Sequence, residues 1–540
     1  MLDSSCYVDR FARDHLPPMQ LWPVLEGLES ARHNYPKQMN AAAELLDKAV
    51  AKGYGPRPCL HGADISWTYA ELLEKANRIA GVLTRDFGLV PGNRVLLRSP
   101  NNPMLAAAWL GVIKAGGIVV ATMPLLRASE LSHVIAKAEI GFAICDARLA
   151  GELRDAAQSA HALKTVYLNG AAPDGLEARM ARQPAHFRNV IASHDDVALI
   201  AFTSGTTGSA KATMHFHRDL LAICDYFPGA VFNPTPDDVF AGSAPFAFTF
   251  GLGALLLFPL RFGASSILLE QAKPDRLIDA MERHRASILF TVPTLYRTMT
   301  PLAGGRDLSA LRICVSSGEH LPESVLADWK KATGRDLLNS IGSTEMLHAF
   351  LAMRPDDPPS GAVGRPLPGF RARIVDEDMN DVAPGEVGRL AVRGPTGCRY
   401  LDDERQKKYV RDGWNLTGDA FRADADGNFW YHARTDDMII SAGYNISGAE
   451  VEEALLRHQS VRECAVVGRN DGARGQVVTA FVVLQDGARA DGALTQSLQD
   501  FVKSAIAPYK YPRVIEYCDA LPRTTSGKIQ RHVLRGSSAQ

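Results

Sequence analysis

The period of the apolar positions changes several times along this chain, and the changes mark out its elements. The first clear helix follows Ile65-Ser66-Trp67-Thr68-Tyr69-Ala70-Glu71. Thr68 and Glu71 stand at capping-box spacing, and Leu72, Ala76, Ile79 and Leu83 recur at steps of 4, 3 and 4 residues, one face of a helix. Short apolar runs at 94–97, 118–121 and 142–145 read as buried strands, with helices expected over 103–115 and from Ser129 onward. Strands alternating with helices in this way predict a parallel sheet covered on both faces. The apolar run 197–202 is a further strand. Alternation resumes with strands expected at 265–269, 288–291 and 311–315, a second α/β layer. Around Pro355-Asp356-Asp357-Pro358-Pro359 the texture turns to short strands and Pro/Gly turns such as Ala383-Pro384-Gly385-Glu386-Val387-Gly388, which predicts a small β subdomain. From about Asp437 the pattern is short and mixed, with helices expected near 449–457 and 494–505 and strands near 464–467 and 479–483. The predicted fold is α/β. A large N-terminal domain over 1–435, built of two α/β layered subdomains and the small β subdomain, precedes a small α+β domain over 436–540.

Composition sharpens this picture mainly by exclusion. At 540 residues the chain is too long for one core. Its 59 basic and 60 acidic residues nearly cancel, which removes the electrostatic basis for a nucleic-acid or membrane-surface partner. Eight cysteines without a C-x-x-C pair suggest neither a disulfide framework nor a zinc site, and fit a reducing cytoplasm. Met1-Leu2-Asp3-Ser4-Ser5 lacks the basic-then-apolar character of a signal peptide, and the apolar runs near Lys114 and Arg261 are interrupted by those charges. The expectation is a cytoplasmic protein without membrane spans.

The chemistry begins where the 197–202 strand runs into Thr203-Ser204-Gly205-Thr206-Thr207-Gly208-Ser209-Ala210-Lys211. Glycines allow successive N–H groups to point at an anion, and the hydroxyls and lysine add donors and charge. Five hydroxyl residues, two glycines and a lysine in nine positions exceed the needs of a polar turn. Walker A spacing is ruled out because Ala210 stands where glycine is required. Asn339-Ser340-Ile341-Gly342-Ser343-Thr344-Glu345 sets a carboxylate behind a glycine turn and a hydroxyl, a corner suited to metal and phosphate. Thr417-Gly418-Asp419 offers an acid in a tight turn, able to accept hydrogen bonds from ribose hydroxyls, though alone it is an ordinary turn. Arg434-Thr435-Asp436-Asp437 opens a charged linker that leads to Ser441-Ala442-Gly443-Tyr444, and Pro522-Arg523-Thr524-Thr525-Ser526-Gly527-Lys528 carries a lysine on a glycine-bearing loop. By themselves these are an interdomain connection and a basic tail.

In this order and spacing the set resembles the adenylate-forming superfamily of acyl-CoA synthetases, peptide-synthetase adenylation domains and luciferases, over nearly the whole chain. Gly342 to His348, the 507–513 stretch Ala-Pro-Tyr-Lys-Tyr-Pro-Arg, and the early Asn34-Tyr35-Pro36 with Asn40-Ala41-Ala42 look like the benzoate–CoA ligase group, nearest its 2-aminobenzoate (anthranilate)-activating members. The resemblance implies a two-step reaction. A carboxylate attacks the α-phosphate of Mg-ATP to give an acyl-adenylate and pyrophosphate, and coenzyme A then displaces AMP. It assigns Thr203, Ser204, Gly205, Thr206, Thr207, Gly208 and Lys211 to the β- and γ-phosphates. Gly318, Glu319, Ser340, Ile341 and Gly342 would frame adenine, Thr344 the α-phosphate, Glu345 Mg²⁺, and Asp419 and Arg434 the ribose. Lys528 would bridge the substrate carboxylate and the α-phosphate, where a cation offsets the repulsion of two anions. No general base is needed, because a carboxylate is already ionised at neutral pH. A mobile C-terminal domain would turn about Asp436 between the steps and bring Ser441, Ala442, Gly443 and Tyr444 to line the coenzyme A channel.

The segment Ala244-Pro245-Phe246-Ala247-Phe248-Thr249-Phe250-Gly251-Leu252-Gly253 resembles the aromatic lining of the family's acyl pocket, and Phe248, Thr249, Phe250 and His348 are its candidate residues. Thr249 stands where benzoate ligases are expected to carry a small apolar residue. A hydroxyl there suits an ortho amino or hydroxy substituent. His348 is read either as a pocket residue or as a packed core histidine, and Asn339-Ser340 departs from the acid–glycine pair expected in benzoate ligases. His215-Phe216-His217 lacks a third ligand and is not read as a metal site. The expected function is an aryl-CoA ligase using an aromatic acid, ATP, Mg²⁺ and coenzyme A, as a monomer or homodimer. The alternatives are a benzoate or medium-chain ligase, an enzyme loading a carrier protein, and a regulatory nucleotide binder. The short tail after Lys528 favours free coenzyme A over a carrier. Glu345, Asp419, Arg434 and Lys528 together oppose a purely regulatory role.

Overall fold

Thr68 closes the strand Ser66–Thr68 and starts the helix Tyr69–Gly81 through the anticipated capping box. Its hydroxyl accepts the Glu71 N–H at 3.2 Å, and Glu71 accepts the Thr68 N–H at 2.7 Å. Asn102 caps the helix Pro103–Lys114 by accepting the Leu105 N–H at 2.9 Å, with proline in the first turn, where its missing donor costs nothing. A Cβ on Gly111 would lie 2.8 Å from the Ile79 side chain, so the glycine lets these two helices approach closely. The structure is a computed structural model that describes residues 3–28, 35–158, 163–170, 172–203, 210–358, 360–441, 444–471, 474–506, 508–524 and 527–536. Asn34 and most of the phosphate loop, Ser204 to Ser209, lie outside the described residues, as do Ala442 and Gly443.

Among the described residues, a six-stranded sheet runs in the order Lys211–Phe216, Val197–Thr203, Ile118–Thr122, Arg94–Arg98, Phe142–Asp146, Lys164–Leu168. Every neighbour pair is parallel except the first, in which Lys211 pairs with Thr203 across an antiparallel hairpin. A nine-stranded sheet centres on the parallel strands Leu337–Gly342, Ile313–Ser316, Ile288–Thr291, Val239–Gly242, Ser265–Ile267 and Pro58–His61, with antiparallel strands at both edges. Alternation along the strands shows how they stack. Val95, Leu97, Ile288 and Phe290 share one core with Trp109, Leu221 and Leu255, whereas Leu96 and Leu289 face separate outer cores. Helices therefore lie between the two sheets and over both outer faces, as the unbroken apolar runs predicted.

The strands Arg371–Val375, Gly388–Arg393, Val410–Arg411, Trp414–Ala423 and Phe429–Arg434 form the small antiparallel subdomain. In the C-terminal domain, the long arms Val461–Asp471 and Gly475–Leu484 pair antiparallel and Val514–Tyr517 joins in parallel. Helices Gly448–Leu456 and Gly492–Ala505 cover this sheet and enclose a core of their own around Ile439, Val451, Val466 and Leu498. The fold is thus α/β, with a large N-terminal and a small C-terminal domain. The two arms extend well beyond the expected 464–467 and 479–483, because only their middle residues pack on helices and carry the apolar signal. No helix among the described residues is long and apolar enough to cross a membrane.

Candidate active site

In a parallel sheet, loops at the carboxyl ends of the strands form the natural ligand crevice. Ile313–Ser316 ends there in Gly318-Glu319, and Leu337–Gly342 ends in Ser343-Thr344-Glu345. Gly342 is obligatory, since a Cβ would stand 2.5 Å from the His348 carbonyl oxygen. Leu347 closes the turn after Glu345 at φ +69°, a conformation that costs a non-glycine residue about 1 kcal/mol. The turn is held from outside as well. His215 Nε2 donates to the Thr344 carbonyl at 2.9 Å, and burial pushes the imidazole pKa down to about 4, so it holds this bond as a neutral ring.

Glu345 is nearly buried, at 7% exposure. One of its oxygens, Oε1, accepts the Tyr400 hydroxyl at 2.6 Å and lies 3.8 Å from Lys211 Nζ. Lys211 also donates to the Tyr400 hydroxyl at 3.0 Å. The Tyr409 hydroxyl, 3.2 Å from Ser343 Oγ, lies beside this cluster. Tyr400, Tyr409 and His215 are absent from the sequence-based site: each acts through a partner far along the chain, and such pairs leave no spacing signal.

Across the crevice, Asp419 pairs in register with Arg434 on the neighbouring strand. Arg434 Nη1 donates to Asp419 Oδ1 at 2.9 Å and to the Thr417 carbonyl at 3.2 Å, and Asp419 holds the guanidinium pKa above its usual value. Gly418, at φ +77°, leaves room for Arg434, whose Nη2 would be 2.9 Å from a Cβ there. Glu319 accepts from the Thr294 hydroxyl at 2.7 Å. Asn339 and Ser340, the departure from benzoate ligases, are both tied to backbone: Asn339 Nδ2 donates to the Ala362 carbonyl at 3.1 Å and Ser340 Oγ to the Ser316 carbonyl at 3.2 Å.

Lys528 arrives from the C-terminal domain on a loop held by the Thr524 N–H to the Lys528 carbonyl at 2.7 Å and by the Lys528 N–H to Thr524 Oγ1 at 3.1 Å. Lys528 is solvent-exposed, with charged groups of the N-terminal domain close enough to act on it. Desolvation, then the Arg434 charge, lower the ammonium pKa, while Glu319, Asp419 and Glu345 oppose them. Lys528 thus lies within electrostatic reach of three carboxylates and the Arg434 guanidinium of the N-terminal domain. The domain itself is docked through Glu453, 3.7 Å from His320, whose ring stacks on Tyr431, and through Arg297 Nη1 donating to the Arg462 carbonyl at 3.2 Å. Ser441, by contrast, belongs to the C-terminal sheet, where Arg474 Nε donates to its hydroxyl at 3.4 Å. Asp436 lies in the turn Thr435–Asp437, and Tyr444 opens the strand Tyr444–Ile446.

The candidate acyl residues fall in two surroundings. His348, 3% exposed, is boxed by the rings of Phe258, Phe250, Phe227 and Phe290 at centroid distances of 4.7, 5.6, 5.7 and 6.4 Å. Neither ring nitrogen has a hydrogen-bond partner among the described residues, and burial drives the pKa to about 3. Thr249, in the short helix Thr249–Leu252 that Phe248 precedes, lines a crevice with Ala121, Leu199, Ala201 and Phe246 too narrow to admit water. His215 and His217 hold no metal geometry. His217 Nδ1 accepts the Ala41 N–H at 3.2 Å and its Nε2 lies 2.9 Å from the Tyr7 hydroxyl.

The AMP-binding enzyme family matches residues 47–399, and the AMP-binding enzyme C-terminal domain matches 450–528. The benzoate–CoA ligase of Thauera aromatica is 35% identical over 509 residues, covering 93% of this chain and 97% of its own. Among solved structures, the anthranilate CoA ligase AuaEII in complex with anthranoyl-AMP superposes with a TM-score of 0.88 at 29% identity, over 93% of this chain and 98% of its own. A benzoate CoA ligase from Burkholderia xenovorans LB400 gives 0.85 at 32% identity, over 92% and 100%. With both domains matched in order, this chain belongs to the AMP-binding enzyme family, in the benzoate–CoA ligase group of adenylate-forming acid–thiol ligases.

Proposed function

We propose that this enzyme activates an aromatic carboxylic acid, 2-aminobenzoate first, to its acyl-adenylate with ATP and then to the coenzyme A thioester. The observation that carries this reading is that Lys528 comes within electrostatic reach of Glu319, Asp419 and Glu345, the last held 3.8 Å from Lys211 Nζ. A carboxylate entering beside Lys528 gains a cation without needing a base. Thr203, the 204–208 loop and Lys211 take the β- and γ-phosphates, and Thr344 the α-phosphate. Gly318, Glu319, Ser340, Ile341 and Gly342 frame adenine, and Asp419 and Arg434 hold the ribose. Mg²⁺ fits Glu345: the residue offers a hard oxygen, and Oε2 has no protein partner among the described residues. Bound there, the ion supplies charge to the leaving pyrophosphate. Residues 436–540 act as a unit that turns about Asp436, withdrawing Lys528 and presenting Ser441, Ala442, Gly443 and Tyr444 to the thiol of coenzyme A.

The aromatic box around His348 supports an aryl substrate, because flat rings and one neutral imidazole suit a planar acid with a polar substituent. Benzoate is the second reading, supported by the 35% identity to the benzoate–CoA ligase of Thauera aromatica. Turnover efficiency with 2-aminobenzoate, benzoate, 2-hydroxybenzoate and hexanoate ranks these readings, and a preference for hexanoate overturns the aryl assignment. Offering free coenzyme A and a carrier protein side by side decides the acceptor.

A further inference from the structure

The two oxygens of Glu345 have different surroundings. Oε1 is held by the Tyr400 hydroxyl at 2.6 Å, whereas Oε2 has no partner among the described residues. The same phenol oxygen accepts from Lys211 Nζ at 3.0 Å and so stands between the lysine and the carboxylate, which remain 3.8 Å apart. A direct lysine–carboxylate bond would close to about 2.7–2.9 Å and draw on the carboxylate's charge. The intervening hydroxyl prevents that closure and fixes the carboxylate through a neutral donor.

Tyr400 is itself rigidly placed. Its ring is fully buried against Tyr409 at 5.7 Å, and its N–H donates to Gln406 Oε1 at 2.9 Å. Its segment is laced to the strand Lys211–Phe216 by the Leu401 N–H to the Ala212 carbonyl and by the Met214 N–H to the Arg399 carbonyl, each 2.8 Å. One short stretch therefore spans the lysine end of the phosphate loop and the carboxylate corner.

We infer that Tyr400 is a positioning residue: it presents Glu345 Oε2 to the divalent cation that accompanies ATP and keeps Lys211 beside the same phosphates. The inference rests on the reading of Glu345 as the metal carboxylate. Outer partners of metal ligands typically contribute 10–100-fold in metal affinity. Calorimetric titration of the full chain with ATP over a series of MgCl₂ concentrations reads this without turnover. Tyr400→Phe removes one oxygen and is expected to raise the Mg²⁺ concentration for half-maximal ATP binding at least about tenfold. The KM for the acid should stay within about twofold. Glu345→Gln is the reference. A raised Mg²⁺ requirement in Glu345→Gln with an unchanged one in Tyr400→Phe overturns the role of Tyr400. An unchanged requirement in Glu345→Gln overturns the metal reading beneath it. Melting curves establish that the variants fold, and Tyr400→His, which retains a ring donor, is expected to recover part of the Mg²⁺ affinity; no recovery in a folded Tyr400→His counts against the hydroxyl's role.

Discussion

Replacing Lys528 by alanine removes a cation for which no side-chain partner stands among the described residues. Arg434 is committed to Asp419 at 2.9 Å, and Lys211 to the Tyr400 hydroxyl at 3.0 Å. Arg434 cannot move to the substrate carboxylate without leaving the buried Asp419 unpaired, and Lys211 cannot without giving up its bond to Tyr400, so compensation is expected to be small. Loss of one preorganised group at a site of developing charge costs about 3–4 kcal/mol, or roughly 10²–10³ in rate. Single-turnover release of pyrophosphate from acid and Mg-ATP should therefore fall at least about a hundredfold. Thioester formation from a supplied acyl-adenylate and coenzyme A should change by less than about threefold, because the proposed rotation takes Lys528 out of the cleft before that step. Equal losses in both half-reactions would refute the reasoning, and so would adenylation at the normal rate. A pH profile adds a second check. Desolvation and Arg434 hold the Lys528 pKa below that of a free lysine, so its charge is present at low pH and lost as pH rises through that lowered value. Adenylation is expected to show an alkaline limb below the free-lysine range of about 10.4, and thioesterification is expected to lack it.

The docked arrangement also depends on His320 and Glu453, 3.7 Å apart across the domains and both partly exposed, a pair worth about 1 kcal/mol or less. His320→Ala and Glu453→Gln should each lower the ratio of adenylation to thioesterification rates up to about fivefold; an unchanged ratio removes the pair from the docking interface. Asp436→Pro, by restricting the backbone at the proposed hinge, should spare adenylation and block thioester formation, and normal overall turnover counts against it. Gly253→Ala would place a Cβ 2.5 Å from His348 Cδ2 and 3.0 Å from Phe258 Cζ, overpacking worth about 1–3 kcal/mol. It should lower the melting temperature and raise the KM for the acid while leaving the KM for ATP alone. An unaltered acid KM would place His348 outside the acyl pocket.

What could be read in the amino-acid order, and what could not, follows from how each kind of residue is constrained. Strands such as Phe142–Asp146 and Ile288–Thr291 were expected almost residue for residue, because burial on both faces demands an unbroken apolar run. The Thr68–Glu71 cap was equally plain, since its partners are three residues apart. The pairing of Pro58–His61 with Ser265–Ile267 was hidden, as nothing in either segment encodes a neighbour some two hundred residues away. The candidate site divides along the same line. Lys528, Glu345, Asp419 and Arg434 stand out because few side chains can neutralise phosphate, hold a divalent cation or accept from ribose. The groups that aim them are free to be anything that reaches: a phenol for Glu345 and an imidazole bonded to the Thr344 carbonyl. The acyl candidates are legible only in part: Phe248, Thr249, Phe250 and His348 could be named from the sequence, but not what surrounds them. The structure sets His348, whose two ring nitrogens have no hydrogen-bond partner among the described residues, inside a box of phenylalanines that admits it because Gly253 lacks a Cβ. Discrimination among aromatic acids should accordingly respond to the volume at residue 253 and the polarity at residue 348 more than to any residue that touches ATP.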